Sequence, residues 1–265
     1  VDGRPACLSA HTFLNSPLKA VVILVEPAGP LNVGSVARLC ANFLIPELRL
    51  VAPRCDHLGD DALQMAVHGK ALLQEAKIYP DLLSAIHDCR RTVGSCGRLD
   101  HGEIPLHTPT QALNWLLESK AEADTNQAPV ALVFGREDCG LNNNELRHCQ
   151  KVICLHSGDT YPSLNLSHAV AVVLHELARL CAEPRAFLPN APVPPDPATA
   201  RALSDLIADA QDLLLEVGFL LDHTASARMA KVQDLLQRAT VRPSEVALLR
   251  GMVRQLRWAI HAKRP

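Results

Sequence analysis

Three short stretches of this 265-residue chain carry polar residues in patterns that could do chemistry. The first is Gly29-Pro30-Leu31-Asn32-Val33-Gly34-Ser35, two glycines with four residues between them and a serine after the second, followed by Arg38. A nucleotide-triphosphate loop of that spacing needs a Lys before the Ser to reach the outer phosphates, and none stands between Gly34 and Ser35. The second stretch is Val133-Phe134-Gly135-Arg136-Glu137-Asp138-Cys139-Gly140-Leu141, an apolar run that ends in Gly and is followed by an acid. The third is Tyr161-Pro162-Ser163-Leu164-Asn165-Leu166-Ser167-His168, a polar turn that runs into an apolar helix pattern. Taken singly, Asn32, Glu137 and Ser163 read as helix caps and Arg38 as a solvated helix charge. Taken together, they would bring Asn, Arg, Glu, Ser and Asn to one crevice if all three stretches follow strands of one sheet.

The elements needed for that are visible. Apolar strand-like runs at 20–25, 47–52, 91–94, 130–134 and 151–155 alternate with helical patterns at 32–44, 80–89, 142–149 and 164–182. Such alternation predicts an α/β domain with a mostly parallel sheet and helices on both faces. Six prolines between Pro184 and Pro197 exclude helix and central strand, so 184–197 reads as a linker between a domain at 18–183 and a module at 198–265. In that module Leu203, Leu206 and Ile207, then Val232, Leu235 and Leu236, then Val246, Leu249, Met252, Val253 and Leu256 recur at helical spacing. Pro243-Ser244-Glu245 marks a helix start, and residues 1–17 read as a flexible end.

Composition narrows the classes. Hydrophobic residues make up 48% and charged residues 20%, a globular balance, and no apolar run nears the ~18 residues that cross a bilayer. The first residues lack the pattern of a secretion signal, so a cytoplasmic location is expected. Nine scattered cysteines never form Cys-x-x-Cys, which argues against a disulfide framework and a zinc site. His175-Glu176 lacks the second His of a zinc-protease helix, and His101-Gly102-Glu103 lacks the Pro-Cys-x-x-Cys partner of zinc deaminases, so no metal is expected. The net charge of −2 hides an uneven distribution: from Thr224 to Pro265 nine Lys or Arg stand against only Asp234 and Glu245. A basic segment of that kind suits a polyanion, and Arg238, Arg242, Arg250, Arg254 and Arg257 are its candidate phosphate contacts. A dinucleotide-dependent oxidoreductase is disfavoured, because no G-x-G-x-x-G follows the first strand.

The order N-x-G-S-x-A-R (Asn32 to Arg38), F-G-R-E-x-x-G-L (Phe134 to Leu141) and S-L-N-L-S (Ser163 to Ser167) resembles the three signature motifs of the SpoU-type, or TrmH-type, RNA ribose 2′-O-methyltransferases of the SPOUT class. Leu236-Gln237-Arg238-Ala239, Glu245 and Leu249-Arg250-Gly251 resemble the helical extension of the TrmJ-type tRNA methyltransferases. The likeness covers about residues 18 to 260 and departs only at Asn142 and Asn144, after the functional Glu.

The resemblance implies a C-terminal trefoil knot, which general rules against threaded chains would never suggest. It implies S-adenosyl-L-methionine as cofactor, held by Ser95, Cys96 and Gly97, by Gly135, by Leu155, and by Pro162, Ser163 and Leu164. It implies a homodimer in which Arg38 faces the cofactor of the opposite subunit, and tRNA as partner, methylated in the anticodon loop. Ribosomal RNA as substrate and a noncatalytic RNA-binding protein on the same fold stand as alternatives. Arg38 would activate the ribose hydroxyl, with Asn32, Glu137, Ser163 and Asn165 orienting it and the motif loops. Two roles for Arg38 stay open, a deprotonated general base or a cation that stabilises the developing alkoxide.

Overall fold

The computed structural model describes residues 19–97, 101–118, 128–155, 157, 163–182 and 196–262. In chain order it runs β1 (Ala20–Val25), α1 (Pro30–Asn42), β2 (Glu47–Val51), α2 (Asp60–Ala66), a 3-10 turn (Val67–Gly69), α3 (Lys70–Gln74), β3 (Lys77–Tyr79), α4 (Leu82–Ala85), β4 (Arg91–Ser95), β5 (Leu106–His107), α5 (Pro109–Leu117), β6 (Val130–Phe134), α6 (Asn143–His148), β7 (Lys151–Ile153) and α7 (Leu166–Ala182). Three helices follow: α8 (Ala200–Glu216), α9 (Asp222–Arg238) and α10 (Pro243–Ala262).

The seven strands form one sheet in the order β3-β2-β1-β6-β4-β7-β5, and every pairing is parallel. The central strands β1 and β6 read as unbroken apolar runs because helices cover both faces, and each of their residues is buried. Ala20, Val22 and Leu24 belong to the core shared with α1, α5 and α7, while Val21, Ile23 and Val25 belong to the core shared with α4 and α6. Truncating one such side chain, Leu24→Ala, would cost roughly 2–5 kcal/mol.

All five strands expected from the apolar runs are present, and two more sit at the edges. β3 and β5 are three and two residues long, too short to carry a periodic signal. The helix expected at 80–89 shortens to one turn at Leu82–Ala85, where the Asp81 carboxylate accepts from Ser84 N at 2.7 Å. Helices α2, α3 and α5 fall in stretches left unassigned from sequence. The expected N-terminal end and nearly all of the 184–197 linker lie outside the described residues.

The glycine turn that resembled a phosphate loop has a packing role at its second glycine. A Cβ on Gly34 would lie 2.2 Å from the carbonyl oxygen of Ala62, so α1 and α2 meet backbone to backbone there. Gly69 makes the matching approach from the 3-10 turn, where a Cβ would stand 2.4 Å from the Ala37 carbonyl. With α7 packed beside it, α1 is fixed by close contacts along its length.

The helical module docks on the α4/α6 face of the sheet. Arg147 of α6 binds Asp234 of α9 through two hydrogen bonds, at 2.7 and 3.3 Å. Gln237 donates to the carbonyls of Leu146 and Cys149, and Gln150 donates to the Ala198 carbonyl at 3.0 Å. At the start of β4, close to Gln150, the buried Arg91 donates to Asp196 at 2.7 Å and lies over the Trp115 ring. Two small apolar clusters, around Leu206 and Val246 and around Ala225 and Met229, hold the module together. No helix among the described residues is long and apolar enough to cross a membrane.

Candidate active site

Helix α1 begins at Pro30, two residues before the expected start, and its N-cap is Gly29, which has no side chain to cap with. The cap comes from the far side of the chain. The Glu137 carboxylate accepts from the backbone N–H groups of Ala28 and Gly29 and from Asn32 Nδ2, each at 3.0 Å. A carboxylate is well matched to that position, since it meets unpaired donors at the positive end of the helix dipole. Burial raises the Glu137 pKa, but the bonds from Ala28, Asn32 and Gly29 outweigh it and hold the carboxyl below the usual carboxylate range.

The loop that carries Glu137 is closed tightly. A Cβ on Gly135 would lie 2.1 Å from the carbonyl carbon of Gly140, so only Gly fits, and Gly140 itself adopts φ +65°. Asn142 then opens α6 with a capping box in which its side chain and that of Glu145 exchange backbone partners. Glu137 is thereby fixed in the loop after β6, adjacent to the end of β1.

Three neighbouring strand ends assemble the other predicted residues. Gly135 follows β6, Ser95-Cys96-Gly97 closes β4, and Leu155 follows β7, and these strands are consecutive in the sheet. Ser95 pairs in register with Ile153, and the amide of the buried Cys96 donates to the Ile153 carbonyl at 2.8 Å. A Cβ on Gly97 would come within 4.0 Å of Ser163 Cα, so the start of the third motif returns to the strand end of β4. Pro162 lies outside the described residues. Leu164 is exposed and Leu155 is half-buried. Among the described residues, backbone groups and apolar side chains meet here, a lining that suits an adenine ring and a thioether.

Asn165 takes the role of a local cap: its Oδ1 accepts from Ser167 N at 2.9 Å and from Ser167 Oγ at 2.8 Å at the start of α7. Arg38 stands apart from all of these. It is exposed on α1 and makes no hydrogen bond or ion pair among the described residues, so the clamp reaches it only through the helix. No metal-binding cluster is present among the described residues.

Residues 19–175 match the model of the SpoU rRNA Methylase family, more than half of the chain. The chain belongs to the SpoU family. It is 31% identical over 238 residues to the tRNA (cytidine/uridine-2′-O-)-methyltransferase TrmJ of Klebsiella pneumoniae, an alignment covering 88% of this chain and 93% of that one. Against the tRNA (cytidine-2′-O-)-methyltransferase TrmJ of Methanocaldococcus jannaschii it is 37% identical over 160 residues, 59% of this chain and 66% of that relative. Its fold superposes on the crystal structure of TrmJ from Z. mobilis ZM4 with a TM-score of 0.75 and 26% identity, covering 90% of this chain and 99% of that one. The SpoU match ends within α7, whereas the Klebsiella alignment is long enough to include helices of the docked module.

Sequence patterns give no sign of Glu26, Arg54 and Arg136, yet Glu26 pairs with both arginines beside the C-terminal ends of β1 and β6. No spacing rule could have found them, because Glu26 and Arg136 are 110 positions apart.

The arginines expected to bind RNA divide into two groups. Arg250 donates to Asp209 of α8 at 3.0 and 3.2 Å, and Arg257 donates to the Asp209 carbonyl at 2.9 Å. The side chains of Arg238, Arg242 and Arg254 make no hydrogen bond or ion pair among the described residues; the Arg242 backbone N–H alone donates to Glu245.

Proposed function

We propose that this chain transfers a methyl group from S-adenosyl-L-methionine to a ribose 2′-hydroxyl of tRNA, in the anticodon loop, and that it does so as a homodimer. The observation that carries this reading is the pairing state of α1. Its start is clamped by Glu137 to the loop beside the proposed cofactor cradle, while Arg38 on the same helix is an exposed cation with no ion-pair partner among the described residues. The named activity of the Klebsiella relative, which aligns with 88% of the chain, supports tRNA as substrate.

In the transfer, a lone pair of the ribose oxygen forms the new O–C bond as the S–CH3 bond breaks, and that bond's electrons return to sulfur as a neutral thioether. The hydroxyl proton leaves to water or a phosphate oxygen. Arg38 acts as a cation that stabilises the developing alkoxide, since a guanidinium stays protonated and has no lone pair to offer. Most of the remaining rate comes from in-line placement of the oxygen on the methyl carbon.

Helices α1 and α7 pack against each other, and their solvent-facing sides, which carry Leu31 (55% exposed) and Val172 (46% exposed) among polar residues, are the surface this reading assigns to a second copy. A trefoil knot formed by the segment after β7 is part of the same reading, and the approach of Ser163 to Gly97 supports it.

The test is nucleoside mass spectrometry of tRNA incubated with the protein and S-adenosylmethionine. The expected product is a 2′-O-methylated nucleoside within the anticodon loop. Methylation of ribosomal RNA alone would move the substrate, and methylation of neither would overturn the reading.

A further inference from the structure

Arg136 stands next to Glu137 in the loop after β6, and the methyl-transfer chemistry leaves it without a task. Its guanidinium is 9% exposed and meets four acceptors. It donates to the two carboxylate oxygens of Glu145 at 2.8 and 2.9 Å, to the Gly140 carbonyl at 3.2 Å, and to Glu26. Each partner is itself fixed. Glu145 accepts from the backbone of Asn142 at 2.8 Å to open α6. Glu26 has a positive φ of 46°, its N–H donates to the Val51 carbonyl at 2.7 Å, and its other carboxylate oxygen holds Arg54.

Adjacent residues of this loop therefore reach in different directions. Arg136 ties the loop to the end of β1 and to α6, and Glu137 ties it to the start of α1. We propose that Arg136 is a positioning residue: by locking the loop it sets Glu137 on the amides of Ala28 and Gly29, and so fixes the helix that carries Arg38. This rests on the catalytic role of Arg38 given above.

The physical case is one of charge balance. Without the guanidinium, Glu26 and Glu145 would be two carboxylates turned toward one partly buried point, with only Arg54 to neutralise them, and each would draw away from the other. The hydrogen bond from Arg136 is the largest influence keeping the Glu26 pKa low, consistent with that geometry. The strained backbone at Glu26 and the closed turn at Gly135 are held in place by the same contacts. Lysine would not substitute, because a single ammonium cannot form the forked pair with Glu145 and also reach Glu26.

The experiment uses the full chain carrying Arg136→Gln or Arg136→Lys, at a temperature well below unfolding for each. Amide hydrogen exchange at Ala28 and Gly29 is expected to speed up by about tenfold or more in Arg136→Gln, with strands β1 and β6 unchanged. Methyl transfer to tRNA is expected to lose about tenfold or more in kcat, with KM for tRNA within about twofold, and Arg136→Lys to recover only part of the loss. Should Arg136→Gln fail to fold, Glu26→Gln carries the same two readouts. Unchanged exchange at Ala28 and Gly29, or faster exchange with kcat intact, would overturn the proposal. A wild-type protein that methylates no RNA defeats the functional reading instead, and the exchange measurement then decides by itself whether Arg136 sets the start of α1.

Discussion

Arg136, just past the C-terminal end of β6, meets four acceptors and is 9% exposed, whereas Arg254 on α10 of the docked module meets none among the described residues. The same contrast runs through both regions. At the ends of β1 and β6, Glu26, Glu137 and Glu145 are all engaged by donors of the fold, and in the module Arg250 and Arg257 are anchored on Asp209 while the side chains of Arg238 and Arg242 have no partner among the described residues. A charge neutralised inside the fold fixes geometry. A charge left open can meet an anion from outside, and Arg38, though it belongs to the sheet domain, sides with the open group.

The largest effect should come from that exception. Arg38→Ala is expected to lower kcat by about 10²–10³-fold, the scale of losing one preorganised group that meets developing charge. Calorimetry should show S-adenosylmethionine affinity nearly unchanged, because the proposed cradle lies at the ends of β4, β6 and β7. Activity within a few-fold of wild type would place Arg38 among ordinary surface charges and erase the contrast.

Next comes the joint between the two regions. The Arg147 and Asp234 side chains are 16% and 9% exposed, so Asp234→Ala leaves a partly buried guanidinium with one lost partner. A stability loss of about 2–3 kcal/mol is expected, below the cost of breaking a fully buried pair. Thermal unfolding should then resolve an early transition of the module ahead of the sheet. A single transition at the wild-type midpoint would mean that Gln237 and the apolar contacts suffice.

Glu137 offers a smaller effect with a distinctive pH dependence. Glu137→Gln is expected to destabilise the protein by about 1 kcal/mol near neutral pH, a cap-sized loss. The sign follows from the lowered carboxyl pKa in the folded state. Its contribution is complete above the ordinary value of 4.5 and disappears as the pH falls through the lower folded value. The gap in unfolding midpoint between wild type and Glu137→Gln should therefore close on acidification below pH 4.5. A gap that stayed constant would show that the carboxylate charge is irrelevant to the clamp.

What could be read in advance follows the range of the interactions. The apolar runs of β1 and β6, the helical spacing of α7 and the Pro243 start of α10 are local signals and lie close to the observed bounds, while the spacing of α8 and α9 indicated helices without bounds. The start of α1 was misplaced by two residues because its cap comes from Glu137, 108 positions away from Gly29. Edge strands β3 and β5 are held by neighbouring strands more than by their own two or three residues. The motif residues Asn32, Arg38, Glu137 and Ser163 were visible by type and order. Their geometry was not: Asn32 bonds Glu137, Asn165 caps its own helix, and Arg38 touches neither. The missing Lys already excludes a triphosphate loop at Gly34, and only the backbone of Ala62 beside it reveals the packing demand.

The smallest effect tests the contrast inside the module itself. If the open arginines meet tRNA phosphates, alanine at Arg238, Arg242 or Arg254 should each weaken binding several-fold at most. Each should also reduce the slope of log affinity against log salt by up to about 0.9, the value for one lost phosphate contact. Arg250→Ala and Arg257→Ala should behave differently, because their guanidinium groups are committed to Asp209. For them the expected change is a lower unfolding temperature, as α10 loosens from α8, with a salt slope close to wild type. Filter binding across a salt series, run beside thermal melts of the five variants, separates the classes. Equal slope changes for all five would show that pairing with Asp209 gives way when RNA arrives. No slope change in any of them would leave the basic excess of the module without an RNA role, and S-adenosylmethionine binding should stay constant throughout.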